Sequence, residues 1–292
     1  MSRLQLDCGG RRIDLARPQV MGILNITPDS FSDGGAFFSR KAALERAHAM
    51  VEAGAALIDI GGESTRPGAP PVALKEELAR VIPVVAALAE ALTVPISVDT
   101  SKPEVMREAV AAGAGMINDV CALCAPGALE TAAGLGVPVC LMHMAGEPRT
   151  MQAAPGYTDV VAEVREFLAG RLGDCLSAGI PRERLVVDPG FGFGKTLGHN
   201  LGLLAHLEVF AGLGVPLLVG LSRKSMLGAL TGRPTGERLA ASVAAALLAA
   251  ERGAQILRVH DVAETRDALL VWEAVRAAQG RELGCQELNE KD

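Results

Sequence analysis

Apolar and polar positions divide the chain into two alternating kinds of segment. Eight short apolar runs, each bounded by turn residues, fall at Val20–Ile26, Ala56–Ile60, Pro95–Val98, Met116–Val120, Pro138–Met142, Leu185–Val187, Pro216–Leu221 and Gln255–Val259. Several are apolar at consecutive positions, the pattern of strands covered on both faces in a parallel sheet. Between them lie longer Ala-, Leu- and Glu-rich stretches with helical spacing. The clearest places Leu74, Leu78, Val81, Val84, Val85 and Leu88 along one face, despite an interior Pro83. Strands alternating with helices eight times predict a (β/α)8 barrel. Before the first run, Leu4–Leu15 carries two short apolar segments around Gly9-Gly10, which predicts a β-hairpin able to plug the barrel's bottom.

No Gly/Ser-rich linker or shift in composition divides the 292 residues, so residues 1–280 are expected to form one domain, followed by a charged tail over 281–292. With 49% hydrophobic and 21% charged residues, the chain can bury a large core, which excludes disorder and collagen-like structure. Its longest apolar stretch, Leu239 to Ala250 broken only by Ser242, is well short of the ~20 residues of a membrane span and reads as a core helix. The N-terminal residues lack the basic and apolar regions of a secretory signal, so a cytoplasmic location is expected. The six cysteines are scattered and suit a reducing compartment; the lone Cys121-Ala-Leu-Cys124 pair has no second pair or spaced His pair and reads as buried or partly buried thiols. A net charge of −6 argues against general nucleic-acid binding, so any anionic ligand must be met by a local cluster.

In such a barrel the residues just after each apolar run face the active site. They are unusually polar here. The run ends carry Asn25 to Gly35, Asp59 to Gly68, Asp99-Thr-Ser-Lys102, Asn118-Asp119, His143, Asp188 to Lys195, Ser222-Arg-Lys-Ser225 and Arg258-Val-His-Asp261. With only six lysines among 28 basic residues, Lys195 and Lys224 weigh more than any single Arg. Arg258 and His260 are two apart, so they share one face of a strand and suit a phosphate or diphosphate; the alternative is an Arg258–Asp261 pair beside a satisfied His. Asp99, Asn118, Asp188 and Lys224 come from four strands and offer acceptors and donors to a flat, nitrogen-rich heterocycle such as a 2-aminopyrimidinone. The alternative for Asp99 and Asp188 is helix capping, although Ser101, before Lys102-Pro103-Glu104, is the better cap candidate there. Gly190-Phe-Gly-Phe-Gly-Lys-Thr196 misses a P-loop by one position, where Pro189 stands, and fails as a dinucleotide fingerprint at Lys195.

Val20-Met-Gly-Ile-Leu-Asn-Ile-Thr-Pro-Asp-Ser-Phe-Ser-Asp-Gly-Gly35 and Asp59-Ile-Gly-Gly-Glu-Ser-Thr-Arg-Pro-Gly68 resemble the two signature segments of the dihydropteroate synthase family. Six later blocks, around Asp99, Asn118, His143, Asp188 to Lys195, Ser222 to Ser225 and Arg258 to His260, resemble it in order along nearly the whole chain. The resemblance implies a transferase of folate biosynthesis that joins (7,8-dihydropterin-6-yl)methyl diphosphate to p-aminobenzoate, giving 7,8-dihydropteroate and diphosphate. It implies pterin contacts from Asp99, Asn118, Met142, Asp188, Phe193, Gly220, Lys224 and Arg258, and diphosphate contacts from Asn25, Thr65, Arg66, Arg258 and His260. Asn25 stands at the place of a Mg²⁺ ligand. Phe31, Pro67, Phe193 and Ser222 are implied to frame aminobenzoate, Asp33 to favour a cationic intermediate, and Asp33, Lys224, Arg258 and His260 to carry the catalysis. A homodimer and competition by sulfonamides are implied as well; helices over Leu239–Ala250 and Thr265–Ala278 are candidate interface elements.

The implied chemistry is dissociative. An aryl amine is a poor nucleophile, but a dihydropterin can stabilise a cation at its exocyclic methylene once diphosphate leaves, so the main task is holding charge on the leaving group. A silent pterin-binding paralogue would be expected to lose a member of this set, and none is missing. A methyltetrahydrofolate-using methyltransferase on the same barrel would have no use for the Arg258/His260 pair.

Overall fold

All eight apolar runs form strands. The computed structural model describes residues 4–26, 35–64, 68–146, 151 and 155–279. The hairpin is β1 (Gln5–Cys8) and β2 (Arg11–Asp14); the runs become β3 (Gln19–Asn25), β4 (Leu57–Gly61), β5 (Ile96–Asp99), β6 (Met116–Asp119), β7 (Val139–Met142), β8 (Leu185–Asp188), β9 (Leu218–Val219) and β10 (Ile256–Val259). The helices are α1 (Gly35–Glu52), α2 (Leu74–Ala91), α3 (Pro103–Ala111), α4 (Ala128–Leu135), α5 (Val160–Ser177), α6 (Leu197–Ala205), α7 (Ser225–Thr231), α8 (Leu239–Glu251) and α9 (Val262–Gln279). Strands β3 to β8 pair in sequence and in parallel, β10 lies between β9 and β3, and a parallel bridge from Val187 to Leu217 closes the ring. The predicted (β/α)8 barrel is therefore the fold. The expected tail, 281–292, lies outside the described residues.

The consecutive apolar positions have a simple cause. Leu24, Ile58, Ile60, Val98, Ile117, Leu141, Val187, Val219 and Val259 point outward into the core beneath the helices. The alternate residues Met21, Leu57, Met116, Cys140, Val186, Leu218 and Ile256 form a separate cluster inside the barrel, so both faces are dry at this level. Two residues further along, the inward positions are Asp59, Asn118, Met142, Asp188, Gly220 and Arg258. The interior thus changes from apolar floor to polar mouth within one repeat of β4, β6, β8 and β10.

The hairpin closes the floor. Leu6, Cys8, Ile13 and Leu15 join the interior cluster, and full burial of each aliphatic side chain contributes about 1.5–3 kcal/mol. Gly115 admits this approach because a Cβ there would lie 2.3 Å from the Cys8 carbonyl oxygen. Arg11 donates to the carbonyls of Ala89, in the last turn of α2, at 2.6 Å and of Val94 at 2.8 Å, which satisfies a helix-end acceptor and ties the hairpin to the barrel.

Helix α2 accommodates Pro83 on its exposed side while Val81, Val84, Val85 and Leu88 are buried. One capping expectation is corrected. Pro103 takes the first helical position of α3, which makes Lys102 the cap residue, and Ser101 instead donates through Oγ to Asp119. Among the described residues no helix is long and apolar enough to cross a membrane.

Candidate active site

Four strands bring one charged cluster together above the floor. Asp59 of β4 is fully buried, and its Oδ2 accepts from Arg258 Nε of β10 at 2.6 Å and from Asn118 Nδ2 of β6 at 3.1 Å. Arg258 reaches the end of β5 with its other arm, donating through NH2 to Asp99 Oδ2 at 2.7 Å. The alternative Arg258–Asp261 pair is not formed, because Asp261 is held by Nε and NH2 of Arg223. Burial disfavours the Arg258 charge, but Asp59 and Asp99 outweigh it and hold the guanidinium above its ordinary value. Burial pushes Asp99 up to about 7; Arg258 pulls it down, while Asp59, Asp119 and Glu77 push it up.

The loops after β5 and β6 are braced from below. Asp119 accepts from Cys121 N at 2.8 Å and Leu123 N at 2.7 Å, holding Ala122 and Leu123 at φ +51° and +58°. Such left-handed non-glycine residues each cost about 1–2 kcal/mol, offset here by Asp119 and by Arg171 Nε donating to the Ala122 carbonyl at 2.8 Å. Lys102 joins Glu63, after β4, to the buried Glu77 of α2, which also accepts from Thr100 Oγ1 at 2.7 Å. In the Cys-x-x-Cys loop Cys121 is half-buried, whereas Cys124 is exposed, contrary to the expectation for that thiol.

The opposite wall is built from β7, β8 and the loop after β9. Asp188 turns its Oδ1 to Gly190 N at 2.7 Å, so it does hold the following turn, and burial pushes its carboxyl up to about 6. Lys224 Nζ lies 4.1 Å from the centroid of the Phe193 ring. Burial lowers the Lys224 ammonium to about 8, against the pull of Asp188. Phe193 packs with Met142, Val120 and Met151. Beneath it the buried Lys195 donates to the carbonyls of Gly190 at 2.9 Å and Phe193 at 3.0 Å, and lies 3.0 Å from His143 Nδ1. Gly190 is at φ +69°, and a Cβ there would lie 1.8 Å from the His143 carbonyl oxygen, so only glycine lets these loops meet.

Ser222 and His260 meet at the third side of the mouth: Ser222 Oγ is 3.0 Å from His260 Nδ1 and accepts from His260 N at 3.2 Å. Gly220 leaves the wall open beside Arg258, whose Cβ is 3.9 Å from where a Gly220 Cβ would stand. Asn25 ends β3; the point a Gly61 Cβ would occupy is 3.7 Å from both Asn25 Oδ1 and Asp99 Oδ2. Phe31, Asp33, Thr65, Arg66 and Pro67 lie outside the described residues. The expected pterin set thus converges, with Asp99, Asn118 and Arg258 in one hydrogen-bonded cluster and Asp188, Lys224, Phe193 and Met142 in the facing wall. Reading the sequence placed Asp59 at the end of its run but gave it no role in the site; its signal is an acid between Ile58 and Ile60, on the opposite side of the strand from both.

The described arrangement offers three buried acids, an amide, a lysine and an arginine beside an apolar wall, which suits a planar, nitrogen-rich ring carrying an anionic substituent. Comparison with known proteins agrees. Residues 21–260 match the model of the pterin binding enzyme family. The chain is 56% identical over 276 residues to the dihydropteroate synthase of Escherichia coli strain K12, covering 94% of this chain and 98% of that one. The Xanthomonas albilineans dihydropteroate synthase solved with 4-aminobenzoic acid superimposes with a TM-score of 0.90 at 59% identity, over 94% of this chain and 99% of that one. The Yersinia pestis dihydropteroate synthase solved with a sulfonamide drug complex gives 0.90 at 55% identity over the same shares. The chain belongs to the pterin binding enzyme family and, within it, to the dihydropteroate synthases.

Proposed function

We propose that the described cluster carries the synthase reaction as follows. The amine and ring N–H edge of the dihydropterin binds Asp99, Asn118 and Asp188, with Lys224 on the complementary edge and Met142, Phe193, Gly220 and Arg258 framing the ring. The bond between the exocyclic methylene and the diphosphate oxygen breaks, and its electron pair leaves with diphosphate. Electron density from the ring stabilises the methylene cation, the p-aminobenzoate amine supplies the pair for the new C–N bond, and the amine then loses a proton. Arg258 and His260 carry the charge of the departing group, a term worth about 3–4 kcal/mol per stabiliser. Thr65 and Arg66 are assigned to the same group, Ser222, Phe31 and Pro67 to aminobenzoate, and Asp33 to the cation.

Mg²⁺ fits this donor set. It uses one or two protein oxygens and takes the rest from phosphate and water, and Asn25 supplies one neutral oxygen at the mouth. When bound, the ion supplies further positive charge against the diphosphate. Residues 1–280 are assigned to one pterin-binding domain. A homodimer through α8 and α9 is supported by the exposed Leu239, Leu248, Leu270, Val271 and Val275. The free thiols of the described cysteines suit a reducing cytoplasm, and sulfonamides are expected to compete with p-aminobenzoate.

The convergence of Asp99, Asn118 and Arg258 above a dry floor carries this reading. Purified protein, given the dihydropterin diphosphate and Mg²⁺, should release diphosphate and form dihydropteroate, identified by mass, only when p-aminobenzoate is present. Tight pterin binding without product would overturn it.

A further inference from the structure

Asp59 is the most deeply buried member of the cluster, and both of its protein contacts run through one oxygen. Oδ2 takes Arg258 Nε and Asn118 Nδ2, while Oδ1 is buried without a hydrogen-bond partner among the described residues. An ionised carboxylate accepts hydrogen bonds and donates none. It can therefore hold Arg258 by its Nε edge and can hold Asn118 by the NH₂ end of its amide, never by the carbonyl end. Arg258 held in this way has NH2 left for Asp99, and Asn118 keeps its Oδ1 acceptor for a ligand.

We infer that Asp59 is a positioning residue for pterin recognition: it sets the roll of the Arg258 guanidinium and fixes which end of the Asn118 amide meets the ring. This rests on the pterin reading of the site and names a residue that reading leaves without a role. The side chain makes no contribution at the rim; it acts from beneath, through two neighbours. An asparagine at 59 would keep the shape but could donate to Asn118 Oδ1, and the amide could then turn its NH₂ toward the ring. Donor would face donor at that edge.

The test is a titration of wild type, Asp59→Asn, Asp59→Glu, Asn118→Ala and the Asp59→Asn/Asn118→Ala double variant with (7,8-dihydropterin-6-yl)methyl diphosphate, alongside the KM for p-aminobenzoate. Asp59→Asn should weaken pterin binding at least about tenfold and leave the p-aminobenzoate KM within about twofold, a split that general loosening of the barrel would not give. The double variant should fall short of the product of the two single effects by about threefold or more, since the residues act as a unit. Asp59→Glu keeps the charge that compensates Arg258, and so the fold, but moves the carboxylate by one methylene; it should also bind about tenfold more weakly. Pterin affinity within about threefold of wild type in a folded Asp59→Asn or in Asp59→Glu, or multiplicative effects with Asn118→Ala, would overturn the inference. Because binding is measured without the second substrate, a wild type that binds pterin but makes no dihydropteroate refutes the synthase mechanism and leaves this inference standing or falling on the variants.

Discussion

Arg258 NH2 donates to Asp99 Oδ2 at 2.7 Å. The cation assigned to the leaving group and an acid assigned to the ring therefore form one unit, and the arginine is also compensating the buried Asp59. Arg258→Ala should remove more than a catalytic charge. Stranding Asp59 in the interior is expected to lower stability by about 3–5 kcal/mol, so the loss of turnover in that variant mixes two effects. Arg258→Lys keeps a charge but loses the fork that spans Asp59 and Asp99. Its turnover should drop about a hundred- to a thousand-fold while its urea midpoint stays closer to wild type than that of the alanine variant. Near-normal turnover in Arg258→Lys would remove the fork from the mechanism.

The raised acids set a pH dependence with opposite signs for folding and for binding. Asp188 and Asp99, pushed up to about 6 and about 7 by burial, hold protons that the unfolded chain has released. Their contribution to stability is complete below the ordinary carboxylate value of 3.8 and is lost as pH rises through those two values. The ring's N–H donors need the ionised forms, so pterin affinity should climb over the same interval, with proton release on binding. The increase in melting temperature given by a pterin ligand should be larger at about pH 8 than at about pH 5. An equal or larger shift at the lower pH would show that neither acid titrates against the ligand.

Lys195 serves the site from behind. Burial lowers its ammonium to about 7, and it still donates to two carbonyls and faces His143, itself pushed down to about 3 by burial and the lysine's charge. Lys195→Met leaves those acceptors unpaired and should cost about 2–4 kcal/mol by urea denaturation. The loop it pins carries Phe193, so pterin affinity should fall in the same variant. A stable Lys195→Met with wild-type affinity would mean the loop holds its shape without the ammonium.

Stability and activity should separate at the hairpin. Leu6 lies in the floor cluster with no exposure and far from the mouth residues in sequence and level. Leu6→Ala should cost about 2–5 kcal/mol through the cavity it leaves, with turnover per folded molecule unchanged at low temperature. A comparable loss of turnover would place the hairpin in the chemistry.

The strands were legible because floor and outer positions are both apolar, so each run stands out against charged helices. The site was legible in part for the same reason: Asp99, Asn118, Asp188 and Arg258 each stand at or near the end of a run. Asp59 stood in the same series of run ends, but its pairing with Arg258 and Asn118 was not legible, since those partners come from strands far away in the sequence. Glu77 lies three residues after Leu74 and four before Val81, so it falls on the buried face of α2, but nothing in the helix itself tells that Lys102 and Thr100 cover its charge. Partners supplied by other elements decided both cases, and no local pattern carries that information. Ser101 was misread because proline sets the cap one residue later than side-chain preference suggests.

Among the described residues, sealing the floor with Leu6, Cys8, Ile13 and Leu15 leaves the barrel interior open only toward the mouth. Traffic through it must queue. On the proposed reading, the ring that settles deepest, against Asp188 and Asn118, has to arrive before the molecule that closes over it, and once joined the two leave together. Kinetic order is then a property of the architecture, written by a four-residue strand pair at the end of the molecule opposite to the chemistry.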